Sequence, residues 1–238
     1  GLARRPLAAA LALYLVLTGS LVGLGLARTG GQWAYALDDP YIHLALARTL
    51  AASGDWGLTP GHFDGVSSSP LWVLLLALGR PAPGWGTLLP FALNLLAGAL
   101  VLVAANRWLD ARGLTPGRRV AALATIVVAA PLPTLAIAGM EHLLHAAIAL
   151  LWLPAALPLL AARRPPGARL LLLSALLVAL RPEGLFLIAP AALWLLGQRR
   201  PGAALALAAA GLPPLALYAA FSLAAGGGWL PDPLLVKG

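Results

Sequence analysis

The chain has no cysteine, one methionine and one lysine, and only 10% of its 238 residues are charged. Without cysteine there is no disulfide framework, no thiolate metal centre and no cysteine nucleophile, and the redox state of the compartment leaves no trace. The shortage of charge excludes more. A soluble domain carries charge on about a quarter of its residues; sixteen basic and eight acidic side chains are too few to coat such a surface. Intrinsic disorder is excluded too, because it requires low hydrophobicity and dense charge, and 61% of these residues are hydrophobic. There is no G-x-S-x-G elbow to mark a serine nucleophile.

What the chain has instead is long apolar runs separated by short arginine clusters. The net charge of +8 would suggest nucleic acid only if the basic residues formed a solvated face. They are scattered between apolar runs, so nucleic acid is not a partner and the lipid bilayer is. The composition predicts an all-α polytopic membrane protein. A spanning helix needs about 20 apolar residues, and candidates run over about 7–27, 87–108, 120–139, 141–162 and 203–225. The first ends in small residues, as a cleavable signal would, but it exceeds a signal core in length and is expected to be a retained anchor. The opening Gly1 and the closing Val236-Lys237-Gly238 suggest the N-terminal piece of a longer protein.

Arginine clusters set the expected orientation. Arg4-Arg5, the group Arg107/Arg112/Arg118/Arg119, Arg163-Arg164-Arg169 and Arg199-Arg200 should be cytoplasmic. One long helix over 170–196 would put Arg169 and Arg199 on opposite sides. Two short crossings, 170–180 and 184–196, keep both clusters inside and meet at Arg181-Pro182-Glu183-Gly184. Each is only roughly 20 Å long, which a thinned bilayer or a water-filled cavity tolerates. A cavity is therefore predicted near Arg181 and Glu183. Seven crossings place the N-terminus inside and seven of the eight acids outside, with only Asp110 inside. The orientation rule counts only Lys and Arg, so the sorting of the acids is a separate check. It points to the extracytoplasmic face as the place for chemistry. Trp33, Trp56, Trp72, Trp85 and Trp229 also fall beside external segments, where their rings suit the headgroup layer.

Residues 28–86 form the first external loop, the least apolar part of the chain, and are expected to carry interfacial helices. Asp39 before Pro40 reads as a helix cap with proline at the first helical position. One carboxylate suffices for a cap, however, and the adjacent Asp38 would be repelled. Asp39 and His43 are four apart and share a helix face. His43 suits an interfacial position, a carboxylate contact, a phosphate contact or a metal. The segment 54–65 is rich in turn residues, and Ser67-Ser68-Ser69-Pro70-Leu71-Trp72 opens a short apolar piece, with the serines placed as structural groups at a helix start.

Asp38-Asp39-Pro40-Tyr41-Ile42-His43, Thr59-Pro60-Gly61, Asp64-Gly65 and Ser69-Pro70-Leu71-Trp72 resemble the first external loop of bacterial GT-C glycosyltransferases. The nearest subgroup is that of the mycobacterial terminal arabinofuranosyltransferases. Ala138-Gly139-Met140-Glu141 resembles the group's Ser-Gly-Met-Glu, and Leu180-Arg181-Pro182-Glu183-Gly184 its Arg-Pro-Asp/Glu-Gly. Leu230-Pro231-Asp232-Pro233 with Lys237 is similar to its Leu-Pro-Asn-Thr…Lys. Two departures bear on fine specificity: Ala45 stands where many relatives have arginine, although Arg48 matches a second basic position, and Asp232-Pro233 replaces Asn-Thr.

The resemblance implies a single GT-C-like transmembrane domain over 1–238, of about seven spans, in a bacterial inner membrane. It further implies transfer of a sugar, with inversion, from a polyprenyl-phosphate carrier to an extracytoplasmic glycan, lipid or protein acceptor. By that analogy Asp38 is the general base and Asp39 orients the acceptor or assists. Arg181 faces the departing phosphate, with Lys237 and Arg48 as second choices. Tyr41, His43, Asp64, Glu141 and Glu183 are further substrate-binding candidates. An arginine that interrupts an apolar run is a functional candidate on its own account. No cofactor is assigned. A divalent metal is left open, with Asp39, Glu141 and His145 as the conceivable ligands; Glu141 and His145 are one helical turn apart, and two ligands are not a site. A transporter or lipid-linked-sugar flippase using Arg181, Glu183 and Glu141 as a polar pathway is the alternative, though no internal repeat of the transporter kind is evident. A non-catalytic membrane scaffold is the third reading.

Overall fold

A computed structural model describes residues 5–79, 86–161 and 164–233. These contain ten α-helices and no strand: α1 (Pro6–Arg28), α2 (Asp39–Ser53), α3 (Pro70–Leu78), α4 (Leu89–Ala111), α5 (Pro116–Ala129), α6 (Leu132–Ala138), α7 (His142–Leu160), α8 (Ala168–Leu180), α9 (Leu185–Gly197) and α10 (Pro201–Ala224). The helical outcome follows from the solvent that the composition implies. In hydrocarbon a backbone N–H or C=O has no water to bond, so the chain must satisfy these groups within itself.

Four helical stretches are long and apolar enough to cross a membrane: Pro6–Arg28, Gly86–Ala111, His142–Leu160 and Pro201–Ala224. A fifth arises if α5 and α6 count as one span, bent by 41°. Residues 120–139 were expected as one unbroken helix. The break falls at Pro131, which has no N–H to donate and cannot continue the ladder. α8 and α9 fall below spanning length.

The chain forms two compact units, Gly1–Tyr41 with Pro81–Leu150 and Ile42–Arg80 with Leu151–Gly238. In the first, α1 packs on α4, α5 and α6. Its core is built from Ala10, Tyr14, Ala97, Val101, Leu102, Ala105, Leu123 and Val127, with Ala136 and Ala147. So many small residues have a physical reason. Lipid tails are as apolar as leucine, so helices gain by close approach of their backbones rather than by leaving water. Gly98 shows how close: a Cβ there would lie 2.3 Å from the Tyr14 hydroxyl oxygen. At one end of this unit Arg119 pairs with Asp110 at 2.7 Å, and Arg112 stacks on Trp108 with its guanidinium carbon 4.4 Å from the ring centroid.

In the second unit α10 packs on both α8 and α9, and α3 lies on α8. The Trp152 ring N–H donates to Ser174 Oγ at 2.8 Å, and that hydroxyl donates to Leu170 O at 2.9 Å, so α7 and α8 are joined by satisfied polar groups. Chain reversal between α8 and α9 happens at Pro182–Gly184, a single 3₁₀ turn. Gly184 is required there, because a Cβ would lie 2.7 Å from the carbonyl carbon of Leu177. At the other end the Arg200 guanidinium donates to Leu159 O at 2.6 Å and Arg164 O at 2.9 Å. The clusters around Arg164 and Arg200 thus meet at one end, and Arg181 stands at the other. Two tryptophans depart from the interfacial expectation: Trp56 and Trp72 are only 7% and 0% exposed, so they are packing anchors, whereas Trp229 is 62% exposed. Trp85 lies outside the described residues.

Gly184→Ala should destabilise the protein by about 1–3 kcal/mol, the usual cost of overpacking. Gly19→Ala, where a Cβ meets nothing within 4 Å, should be neutral or gain up to about 1 kcal/mol in helix propensity. Thermal unfolding of both variants in the same detergent checks the contrast.

Candidate functional site

Each unit gathers part of the candidate set. In the first unit the start of α2 and the residue before it carry Asp38, Asp39 and Tyr41. The helix starts at Asp39, one residue earlier than a cap at Asp39 would give. It is therefore Asp38 that precedes the helix, and its Oδ1 accepts the Asp39 N–H at 3.0 Å. The Tyr41 N–H donates to Asp38 O at 2.9 Å and tightens the turn. Asp38 remains exposed and Asp39 is half-buried. A carboxylate in the first turn is favoured by the helix dipole, so the pair is compatible with the fold without being consumed by it.

Tyr35 organises this segment, although no local pattern in the sequence marks it. Its N–H donates to the Tyr41 hydroxyl at 2.8 Å. Its own hydroxyl donates to Thr87 O at 2.6 Å and accepts the Phe91 N–H at 3.2 Å. The two tyrosine rings meet edge to face at 5.7 Å. Burial pushes the Tyr35 phenol up to about 12, against the opposing effect of hydrogen bonds from Phe91 and Trp33. The hydroxyl thus stays a neutral donor over the whole physiological range.

Gly139, at the end of α6, abuts the same ring. Its φ of +73° is left-handed, and a Cβ would lie 2.5 Å from Tyr35 Cε1. Glycine is demanded twice, by conformation and by space. Two residues on, Glu141 is fully buried immediately before α7. Tyr35 therefore links the Asp38–Tyr41 segment to the Gly139–Glu141 junction. His145 bonds Glu141 through the backbone, N–H to O at 2.9 Å, and is half-buried, whereas His142 is exposed. Among the described residues no three His, Asp or Glu side chains come together in a way that could hold a metal ion. Asp39, Glu141 and His145 accordingly do not assemble into a metal site.

The second unit contains His43, Arg48, Asp64, Arg181 and Glu183. Arg181 and Glu183 form an ion pair at 2.5 Å, with their side chains 19% and 36% exposed. The turn that carries them borders a cavity of about 540 Å³, walled by Trp56, Pro70, Leu74, Pro182, Pro214 and Phe221 among others. A cavity was predicted here as water-filled. It is lined instead almost wholly by apolar side chains, because α3 and α10 present Leu74, Leu217 and Phe221 to it.

Asp64 does local structural work: its Oδ2 accepts the Leu58 N–H at 2.8 Å, and its own N–H donates to Trp56 O at 2.9 Å. Asp55 does the same for the other half of the loop. Its Oδ2 accepts from Ser53 Oγ at 2.7 Å and the Gly61 N–H at 2.9 Å. The Ser53 bond first, then the Gly61 bond, holds its carboxyl below the ordinary range. The Asp232 N–H donates to Gly65 O at 2.9 Å and ties the loop to the segment after α10. His43 is 5% exposed, and Arg48 is exposed. Ser67 and Ser69 are completely buried, and Ser67 Oγ accepts the Ser69 N–H at 3.2 Å, a structural role as expected. Lys237 lies outside the described residues.

Tyr35→Phe removes a donor and an acceptor from a buried site and should cost about 1–3 kcal/mol, read as a fall in melting temperature. Asp55 supplies loop stability that is present above its unfolded pKa and lost as pH falls through its lower folded value. Limited proteolysis of the 54–65 loop should accelerate across that acid window, and in Asp55→Asn at neutral pH as well. No protein-family model matches this chain, and no match is found among the curated proteins or the solved structures.

Proposed function

We propose that the protein is a membrane glycosyltransferase that moves a sugar from a polyprenyl-phosphate carrier to an extracytoplasmic acceptor. One observation carries this reading furthest: a cation, Arg181, stands on the turn that borders an apolar cavity of about 540 Å³. A carrier lipid is an anion on a long apolar chain, and this pairing of surfaces suits both parts. The cavity takes hydrocarbon, and the guanidinium offsets charge that develops on the departing phosphate. The resemblance of Asp38-Asp39-Pro40, Gly139-Met140-Glu141 and Arg181-Pro182-Glu183-Gly184 to GT-C motifs supports the same class.

In the proposed reaction the acceptor hydroxyl oxygen bonds to the anomeric carbon as the bond from that carbon to the phosphate oxygen breaks. By the resemblance Asp38 takes the hydroxyl proton, and polyprenyl phosphate departs as the anion. Configuration inverts, because attack and departure occur on opposite faces. A base of this kind contributes about 10²–10⁴-fold. We place the protein in a bacterial inner membrane with the N-terminus cytoplasmic and, counting α8 and α9 as short crossings, seven crossings. The meeting of the Arg164 and Arg200 segments at one end of the second unit supports that threading.

Asp38→Asn should lower transfer from a polyprenyl-phosphate sugar by about 10²–10⁴-fold in proteoliposomes while expression persists; retained transfer would remove Asp38 as the base. Leu74→Trp, which fills the cavity, should raise the KM for long-chain donors much more than for short-chain ones. Movement of the donor across the bilayer without any transfer would favour a flippase instead.

A further inference from the structure

The end of the second unit opposite Arg181 holds a charge arrangement that sugar transfer does not use. Here the C-terminus of α7, the segment before α8 and the turn between α9 and α10 come together through the two bonds of Arg200, to Leu159 O and Arg164 O. Arg200 is thereby fixed and half-buried, while Arg164, Arg169 and Arg199 are exposed around it. Arg199 is held outward by a left-handed backbone, φ 58°.

Among the described residues no carboxylate of this unit lies at that end. Glu183 is with Arg181 beyond the far end of α8, a helix length of about 20 Å away. Asp55, Asp64 and Asp232 belong to the loop that is tied to the segment after α10. Like charges crowded without an acid raise one another's energy, and an anion relieves the repulsion.

The neighbouring surface identifies the anion. On the last turns of α9, Leu193, Trp194 and Leu196 are 67%, 59% and 51% exposed. Exposed leucines running into an exposed tryptophan and then into guanidinium groups describe the passage from hydrocarbon to headgroup. A soluble anion would have no use for the apolar strip, whereas a phospholipid matches both parts. We propose that Arg164, Arg169 and Arg199, arranged by Arg200, bind the headgroup phosphate of an anionic phospholipid whose acyl chains lie along α9. The site is independent of the glycosyl-transfer reading and survives its failure.

The test uses the full chain in a neutral detergent, titrated with phosphatidylglycerol, phosphatidylcholine or inorganic phosphate and followed by melting temperature and native mass spectrometry. Phosphatidylglycerol should be retained and raise the melting temperature by several degrees, with neither of the others doing so. The triple variant Arg164→Gln/Arg169→Gln/Arg199→Gln should bind phosphatidylglycerol at least tenfold more weakly, and the corresponding triple Lys variant should stay within about threefold of wild type, since roughly equal surface attraction attaches to either cation. Arg107→Gln/Arg112→Gln/Arg118→Gln removes as many charges from the other unit and should retain the binding. Equal loss in that control would mean that general positive charge attracts the lipid and no site exists. Stabilisation by phosphate alone would overturn the lipid assignment, and so would equal retention of phosphatidylcholine. If the Gln variant fails to fold, the Lys variant and the wild-type lipid series decide the matter.

Discussion

The reversal of the chain at Arg181–Gly184 gives the second unit its polarity. Gly184 lies against the Leu177 backbone so closely that no side chain fits, and this contact lets α9 return instead of prolonging α8. Because it returns, the next turn brings Arg200 back beside Arg164, where it bonds Leu159 O of α7 and Arg164 O beyond it. Basic residues accordingly collect at one end, and the ion pair of Arg181 and Glu183 stands at the other beside the apolar cavity. An unbroken helix through the same residues would have separated the arginine clusters and left Arg181 stranded along its side.

The first unit solves a related problem with an aromatic hub. Tyr35 is buried, spends its hydroxyl on the Thr87 and Phe91 backbones, and supports Tyr41 through its own N–H. Gly139 must be a glycine because Tyr35 occupies the space a side chain would need. The acidic residues on either side of this hub, Asp38 and Asp39 on one segment and Glu141 on the other, owe their placing to a residue that carries no charge. Exposure then divides them: Asp38 is open to solvent, while Glu141 is enclosed at the start of α7.

Much of this was legible before the fold. Apolar runs of sufficient length predicted the long helices to within a few residues, since the period and length of hydrophobic stretches are local properties. The turn at 181–184 was legible through charge, because two arginine clusters demanded the same side. Other features were not. The break at Pro131 was hidden because proline inside a membrane helix is common, and α7, α9 and α10 all contain internal prolines without ending there. Trp56 and Trp72 looked like interfacial rings, as external tryptophans usually are, and only packing revealed them as buried. Asp64 is a substrate-binding candidate by resemblance, but its hydrogen bond to the Leu58 N–H comes from a loop conformation that composition does not encode.

What the sequence by itself determined is the class of molecule. Sparse charge, long apolar runs and helix-compatible spacing leave an α-helical membrane protein as the physical solution, because lipid rewards internal hydrogen bonding and nothing else. It also determined which chemistry-bearing residues are available, since the acids are few and segregate along the chain. Tertiary structure alone decided which of them stand free and which are spent on the fold. It made the space beside Arg181 apolar, chose Tyr35 as the support for the Asp38 segment, and assembled three exposed arginines around a fixed fourth. These outcomes depend on contacts between residues tens of positions apart, such as Arg200 with Leu159 and Tyr35 with Thr87. Side-chain packing sets such contacts, and no local pattern records it.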